Sequence, residues 1–219
     1  MIHGIWLDRT DYESGLLLQE HYAERSKKDH SSYVLGLEHP EVITLGIRGD
    51  AQKDLSFSEL DTNAIKVFKT DRGGQATLHS PGQLVIYPIL PLKAMKVGVS
   101  QFIDSLLEAT RLMLLKFDVI AEKSGTGLYT KQGKIAFVGL RIADGISKHG
   151  ISINVSNDIS LFGKIRSCGI SDASIDRISR SGQNPEVSLV FQLWLREFIF
   201  ICESSVTVDN SRLLKMERD

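Results

Sequence analysis

Strand-like apolar segments in this chain come in runs, and that constrains the fold more than any other feature. Tyr33-Val-Leu-Gly-Leu37, Val42-Ile-Thr-Leu45, Ala64-Ile-Lys-Val-Phe-Lys69 and Leu84-Val-Ile-Tyr-Pro-Ile-Leu90 follow one another with no long helical pattern between them. A second run holds Lys134-Ile-Ala-Phe-Val-Gly-Leu-Arg-Ile142 and His149-Gly-Ile-Ser-Ile-Asn-Val155. Strands that do not alternate with helices predict an α+β fold, with a mixed, largely antiparallel sheet flanked by helices. Pro88 cannot donate to a ladder, so its strand is expected at an edge or at an irregularity. Three helices are expected. Thr10-Asp-Tyr-Glu13 has the spacing of a capping box for a helix running to about Ser26. Ser100 is a candidate cap for a helix whose one face carries Phe102, Ile103, Leu106, Leu107, Met113 and Leu114. Asn184-Pro185-Glu186 reads as a sharp helix start, and Leu189 to Ile201 is apolar almost all round, which predicts a buried helix.

A chain of 219 residues with 42% apolar and 24% charged side chains buries a substantial core. Neither an internal repeat nor a linker-like tract interrupts it, so residues 1–219 are expected to form a single domain. The formal net charge is −1, and no basic stretch is interleaved with aromatics, which argues against a nucleic-acid partner. The first residues lack the basic start and apolar core of a signal peptide, and the apolar stretch near Leu189 is interrupted by Gln192, Arg196 and Glu197. A cytoplasmic protein without a membrane span is expected, with Cys168 and Cys202 as free thiols.

Two segments carry the residues suited to chemistry. Arg72-Gly-Gly-Gln-Ala-Thr-Leu-His79 follows a strand, and its paired glycines allow positive φ and close approach of backbone N–H groups to a ligand. It matches no phosphate-binding fingerprint, and a plain hairpin turn would use the same glycines. Cys168 sits in Arg166-Ser-Cys-Gly169, an accessible setting for a nucleophile, whereas Cys202 follows Phe200-Ile201 and reads as a small core hydrophobe. A nucleophilic thiolate needs a nearby cation, and Lys134, just after the Gln132-Gly133 turn, is a candidate. Its plain alternative is a solvated strand-end charge. A Cys–His dyad with His79 or His149 as base and a metal site from His79, His149 and Cys168 are competing arrangements, the latter without any close-spaced ligand pair.

Taken in order, these segments resemble the lipoyl/octanoyl transferase family, within the biotin/lipoate protein ligase superfamily. The resemblance rests on Arg72-Gly-Gly-Gln-Ala-Thr-Leu-His-Ser-Pro-Gly-Gln-Leu84, Lys134-Ile-Ala-Phe-Val-Gly-Leu-Arg-Ile142, Ser147-Lys-His-Gly-Ile-Ser-Ile-Asn-Val155 and Ile165-Arg-Ser-Cys-Gly-Ile170. Glu38-His39-Pro40 and Thr44-Leu45-Gly46 also fit, so it covers roughly residues 33 to 180. It implies the fold of the biotin and lipoate protein ligase catalytic domains, with Cys168 carrying an acyl group and Lys134 lowering its pKa. It also implies a substrate site lined by Arg72, Gly73, Gly74, Gln75, Ala76, Thr77, Leu78, His79, Phe137, Val138, Gly139, Gly150, Ile151 and Ser152, with His149 in support.

The implied donor is octanoyl-acyl carrier protein, its acyl group delivered on phosphopantetheine with no other cofactor and no metal. The implied acceptors are lipoyl domains of 2-oxoacid dehydrogenase complexes or the glycine-cleavage H protein, served by a monomer. The proton lost by the incoming lysine is expected to reach Lys134 or His79. Rival readings are an ATP-dependent lipoate-protein ligase, which needs no nucleophilic cysteine, a non-catalytic lipoyl-domain binder, and a hydrolase with water as acceptor. The chain departs from the family pattern at Leu78 (usually aromatic), Ser80 (glycine), Ser167 (proline) and Asp176-Arg177 (Thr-Ser). Leu78 is expected to leave a roomier, wholly apolar acyl slot.

Overall fold

The structure, a computed structural model, describes residues 1–56, 65–165 and 174–216, with side chains through Glu203. Ten strands are described: β1 (Ile2–Arg9), β2 (Ser32–Glu38), β3 (Val42–Leu45), β4 (Lys66–Lys69), β5 (Ala76–His79), β6 (Gln83–Ile89), β7 (Glu122–Ser124), β8 (Gly127–Tyr129), β9 (Lys134–Ala143) and β10 (Ile146–Asn154). The helices are α1 (Tyr12–Asp29), the short α2 (Ala51–Asp54) and α3 (Leu92–Met95), α4 (Val99–Leu115) and α5 (Val187–Met216).

Seven strands form one sheet in the order β1-β2-β6-β10-β9-β8-β7, antiparallel throughout except for the parallel β1–β2 pair. The other three form a small sheet, β4-β3-β5, with β4 parallel and β5 antiparallel to β3. This is the expected mixed, largely antiparallel α+β architecture. Period-2 alternation on the central strands divides the large sheet's two faces. Leu84 and Ile86 of β6 join Phe102, Leu106, Phe191 and Trp194 of α4 and α5 in the main core. Val85, Tyr87 and Ile89 join Ala23, with Leu18 and Tyr22 packed beside it, under α1. A third core, under the small sheet, holds Ile43, Leu45, Ala76, Leu78, Phe137, Phe162 and Ile165.

Several expectations needed correction. Of the two settings expected for Pro88, the edge is wrong and the irregularity holds: β6 is a central strand, but its pairing with β10 ends at Ile86 while pairing with β2 continues through Pro88 to Ile89. The missing proline N–H therefore falls where no ladder bond to β10 is made. Asp11 rather than Thr10 caps α1, accepting from the Ser14 N–H at 2.9 Å, while the Thr10 hydroxyl donates to the Leu7 carbonyl. Gly98 stands at the α4 cap without a side-chain bond, leaving Ser100 inside the helix. Among its described side chains, through Glu203, α5 buries the face of Val187, Val190, Phe191, Trp194 and Phe198, whereas Leu189 and Phe200 are exposed. Among the described residues no helix is long and apolar enough to cross a membrane.

Candidate active site

β5 and the glycine-rich turn before it lie against β9 and β10 of the large sheet and enclose a cavity of about 380 Å³, within the size range of small-molecule sites. Arg72 staples this corner. Its Nε donates to the Thr44 hydroxyl (3.0 Å), Nη1 to the Gly73 carbonyl (2.9 Å), and Nη2 to the Thr44 and Gln75 carbonyls (both 2.7 Å). Gly73 N–H donates to the Leu140 carbonyl at 2.8 Å, tying the turn to β9. Gly74 has φ +97°, a conformation that favours glycine. The turn is thus a cross-sheet clasp that leaves backbone facing the cavity.

Arg72, Gly73, Gly74, Gln75, Ala76, Thr77 and His79 all line the cavity, as do Lys134, Phe137, Val138, Gly139, His149, Gly150, Ile151 and Ser152. Leu78 does not. It is fully buried in the third core with Ile43, Leu45 and Phe162, so the expected widening of an acyl slot by this residue is corrected. Leu78→Tyr is expected to overpack that core, costing about 1–3 kcal/mol and lowering the urea midpoint without changing the preferred acyl chain length; a narrowed preference in a donor competition at unchanged stability would contradict this placement.

Lys134 is no solvated strand-end charge. It is only 5% exposed, and its ammonium lies 4.8 Å from the Phe137 ring centroid and 5.4 Å from that of Tyr129, in cation–π range. Gly127 makes room for it, since a Cβ there would meet Lys134 Cε at 2.5 Å. Its backbone receives the returning chain: Lys134 N–H donates to the Ser174 carbonyl (2.8 Å), and Asp176 N–H donates to the Lys134 carbonyl (3.0 Å). Asp176 is itself buried and accepts a hydrogen bond from the Thr130 hydroxyl. Arg177 donates to the Ser156 and Asn157 carbonyls. The Asp176-Arg177 departure is therefore part of the scaffold. Arg166, Ser167, Cys168 and Gly169 lie outside the described residues. Before them Ile165 bridges Leu55 in the third core; after them comes Ser174, at Lys134.

Three buried histidines flank the cavity. His39 bonds the Thr10 carbonyl through Nδ1 (2.6 Å) and the Tyr87 hydroxyl through Nε2 (2.7 Å), and burial holds its pKa down to about 4. His149 has φ 55°, an uncommon conformation for a residue with a side chain. Its N–H donates to Gln19 Oε1 of α1 (2.7 Å), and its Nε2 pairs with Asp71 (2.8 Å). Burial lowers the His149 pKa, with Asp71 opposing. The Thr77 hydroxyl is buried in the cavity wall with no partner among the described residues. Cys202 is half-buried against the main core, its thiol pushed up to about 11 by burial.

Sequence reasoning missed Tyr12, Arg48, Val85, Tyr87, Tyr129 and the turn Ser124-Gly125-Thr126, all of which line the cavity. Val85 and Tyr87 were recoverable from period-2 alternation on the strand leaving the loop. Tyr12 and Arg48 carried no local signal.

The lipoyl protein ligase A/B catalytic-domain family matches residues 11–199. This chain belongs to that family. Among curated relatives, octanoyltransferases of Shewanella sp. (strain ANA-3) and Shewanella piezotolerans are each 38% identical over 170 residues, which is 77% of this chain and 76% and 75% of those proteins. Solved structures of the same fold include a lipoate-protein ligase A bound with ATP, with TM-score 0.71 and 13% identity over 90% of this chain and 84% of that one. Another is the bipartite lipoate protein ligase of Thermoplasma acidophilum, with TM-score 0.69 and 13% identity over 90% and 82%. Biotin protein ligase from Aquifex aeolicus aligns with TM-score 0.57 and 14% identity over 92% and 70%. Against this family, the Arg72 clasp and the buried Lys134 occupy the segments on which the sequence resemblance rested.

Proposed function

We propose that this protein is an octanoyltransferase that moves an octanoyl group from acyl carrier protein to a lysine of a lipoyl domain through a thioester on Cys168. The observation that supports the reading is Lys134, a buried ammonium in the cavity wall within cation–π range of Tyr129 and Phe137, the kind of cation that favours a thiolate. The likeness to curated octanoyltransferases supports the substrate class, and Ala76, Val85, Phe137, Val138 and Ile151 offer the cavity apolar wall for a chain whose burial contributes about 0.8 kcal/mol per methylene.

In the first half-reaction the Cys168 thiolate attacks the thioester carbonyl carbon. A new C–S bond forms, the pantetheine C–S bond breaks, and the departing sulfur takes up a proton. In the second, a neutral lysine amine attacks the acyl-enzyme. Thioester-to-thioester exchange is nearly balanced and thioester-to-amide transfer is downhill, so no ATP is consumed. The whole chain acts as one cytoplasmic catalytic domain with lipoyl domains of 2-oxoacid dehydrogenases or the H protein as acceptors.

Intact mass after incubation with octanoyl-acyl carrier protein tests this. A single octanoyl adduct is expected on wild type and on Cys202→Ser, and none on Cys168→Ser. Equal adduct on both variants would remove Cys168 from its role, and no adduct on wild type would sink the transferase reading.

Lys134→Ala would open a hole beneath Tyr129 and Phe137, so its stability effect would obscure its chemistry. Lys134→Met keeps most of the volume and is expected to stay within about 1.5 kcal/mol of wild type. Its Cys168 should alkylate more slowly at neutral pH, with the thiol titrating higher because a cation that favours the thiolate is gone. An unchanged iodoacetamide pH profile would assign activation to another group.

A further inference from the structure

His79 has one ring nitrogen that the two half-reactions above do not use. Its Nδ1 lies 2.6 Å from Gln83 Oε1. That atom is an oxygen because Gln83 Nε2 donates elsewhere, to the Leu78 carbonyl (3.2 Å) and to Asn154 Oδ1 (2.9 Å). Asn154 is oriented in turn by its Nδ2, which donates to the Asp176 carbonyl (2.9 Å), while Asn157 Nδ2 donates to Asn154 Oδ1 (3.2 Å). Main-chain carbonyls only accept, so Leu78 and Asp176 between them fix the direction of both amides. Gln83 therefore presents an acceptor to His79, and Nδ1 must carry the hydrogen.

A neutral imidazole has one N–H, which leaves the lone pair on Nε2, at the ring edge away from Gln83. Burial keeps the ring neutral, with a pKa held down to about 3. No described residue bonds Nε2, and the ring forms part of the cavity wall. His79 is thus a fixed hydrogen-bond acceptor at the cavity, presented by the same short strand as the Thr77 hydroxyl, which has no partner among the described residues.

Resting on the transferase reading above, we propose that His79 Nε2 accepts a hydrogen bond from an N–H of the attacking lysine amine and so aims the amine's lone pair at the acyl carbon. The role assigned to His79 is that of acceptor, since the Gln83 contact holds the hydrogen on Nδ1 and turns the Nε2 lone pair to the cavity. As the C–N bond forms and the acyl C–S bond breaks, the electron pair goes to Cys168 sulfur, and the proton lost by nitrogen ends on that sulfur. The buried chain Gln83–Asn154–Asp176 also runs to the backbone of Lys134, so one amide network positions the acceptor and the strand bearing the cation.

Two half-reactions, measured separately on the full chain, test this. His79→Asn can still donate toward Gln83 but has nothing at the Nε2 position, whereas His79→Gln can place an amide oxygen near it. With His79→Asn, octanoyl loading followed by intact mass is expected to slow by no more than several-fold. Transfer from the isolated acyl-enzyme to an apo lipoyl domain should slow about a hundredfold at saturating acceptor, and His79→Gln should recover part of it. Nitrogen-15 NMR of the imidazole should show the Nδ1–H tautomer in wild type and a tautomer mixture in Gln83→Leu. An Nε2–H tautomer in wild type, or equal slowing of both half-reactions by His79→Asn, would overturn the proposal. Failure of wild type to load at all would instead overturn the transferase reading and this inference with it.

Discussion

Gly150→Ala is expected to cost at least about 3 kcal/mol and to lower the melting temperature by about 6–12 °C. The new Cβ would overlap the Ile86 carbonyl oxygen and lie 2.5 Å from Pro88 Cδ. Neither is the free end of a flexible side chain, so relief requires moving two central strands, β6 and β10. The same spot explains why Pro88 is tolerated inside a sheet. β10 leaves the β6 ladder at Ile151, His149 takes a left-handed conformation, and its N–H turns to Gln19 on α1. Gly150 and His149 both line the cavity, so the methyl should reduce acyl transfer together with stability. Gly163→Ala is the control: a Cβ there meets nothing within 4 Å among the described residues, and its effect should stay within about 0.5 kcal/mol. Equal melting temperatures for the two variants would mean that β6 and β10 separate without penalty.

The large sheet was legible because its strands advertise themselves: β2, β6 and β10 are buried on both faces almost throughout, and β9 over its first four residues. β1, β7 and β8 were not, since β1 is a half-exposed edge strand and β7–β8 is a hairpin of three-residue strands. Propensity cannot distinguish such segments from loop. β5 was hidden inside the ligand-loop motif: Ala76-Thr77-Leu78-His79 pairs with β3 residue by residue, which is why Leu78 faces a core and its neighbours Thr77 and His79 the cavity. A loop reading gives every residue equal access to a ligand, whereas a strand gives access to alternate ones. The burial of Lys134 was equally invisible locally, because its partners Tyr129 and Phe137 and the glycine that admits it, Gly127, are brought together only by the β8–β9 pairing.

Mild acid is expected to destabilise this protein strongly, through the buried rings that surround the site. His39, with a native pKa of about 4, and His79, at about 3, are both depressed by burial, and His149 is shifted in the same direction despite Asp71. Released by unfolding, each ring returns to an ordinary value near 6.5. Between these limits the unfolded chain binds protons that the native one refuses, so stability rises with pH. This contribution is fully present above about pH 6.5 and is lost progressively as pH falls toward the native values. With three rings taking part the slope reaches at most about 4 kcal/mol per pH unit. Carboxylates with depressed pKa, such as Asp11 and Asp29, act in the same direction but only below about pH 4, so a urea series from pH 7 to pH 5 isolates the histidines. His39→Gln should lower absolute stability, since it disturbs the bonds to Thr10 and Tyr87, yet flatten the pH slope by about one proton. A urea midpoint constant across that range in wild type would show that the rings gain protons without unfolding, and with them the cavity would lose the neutral acceptor at His79.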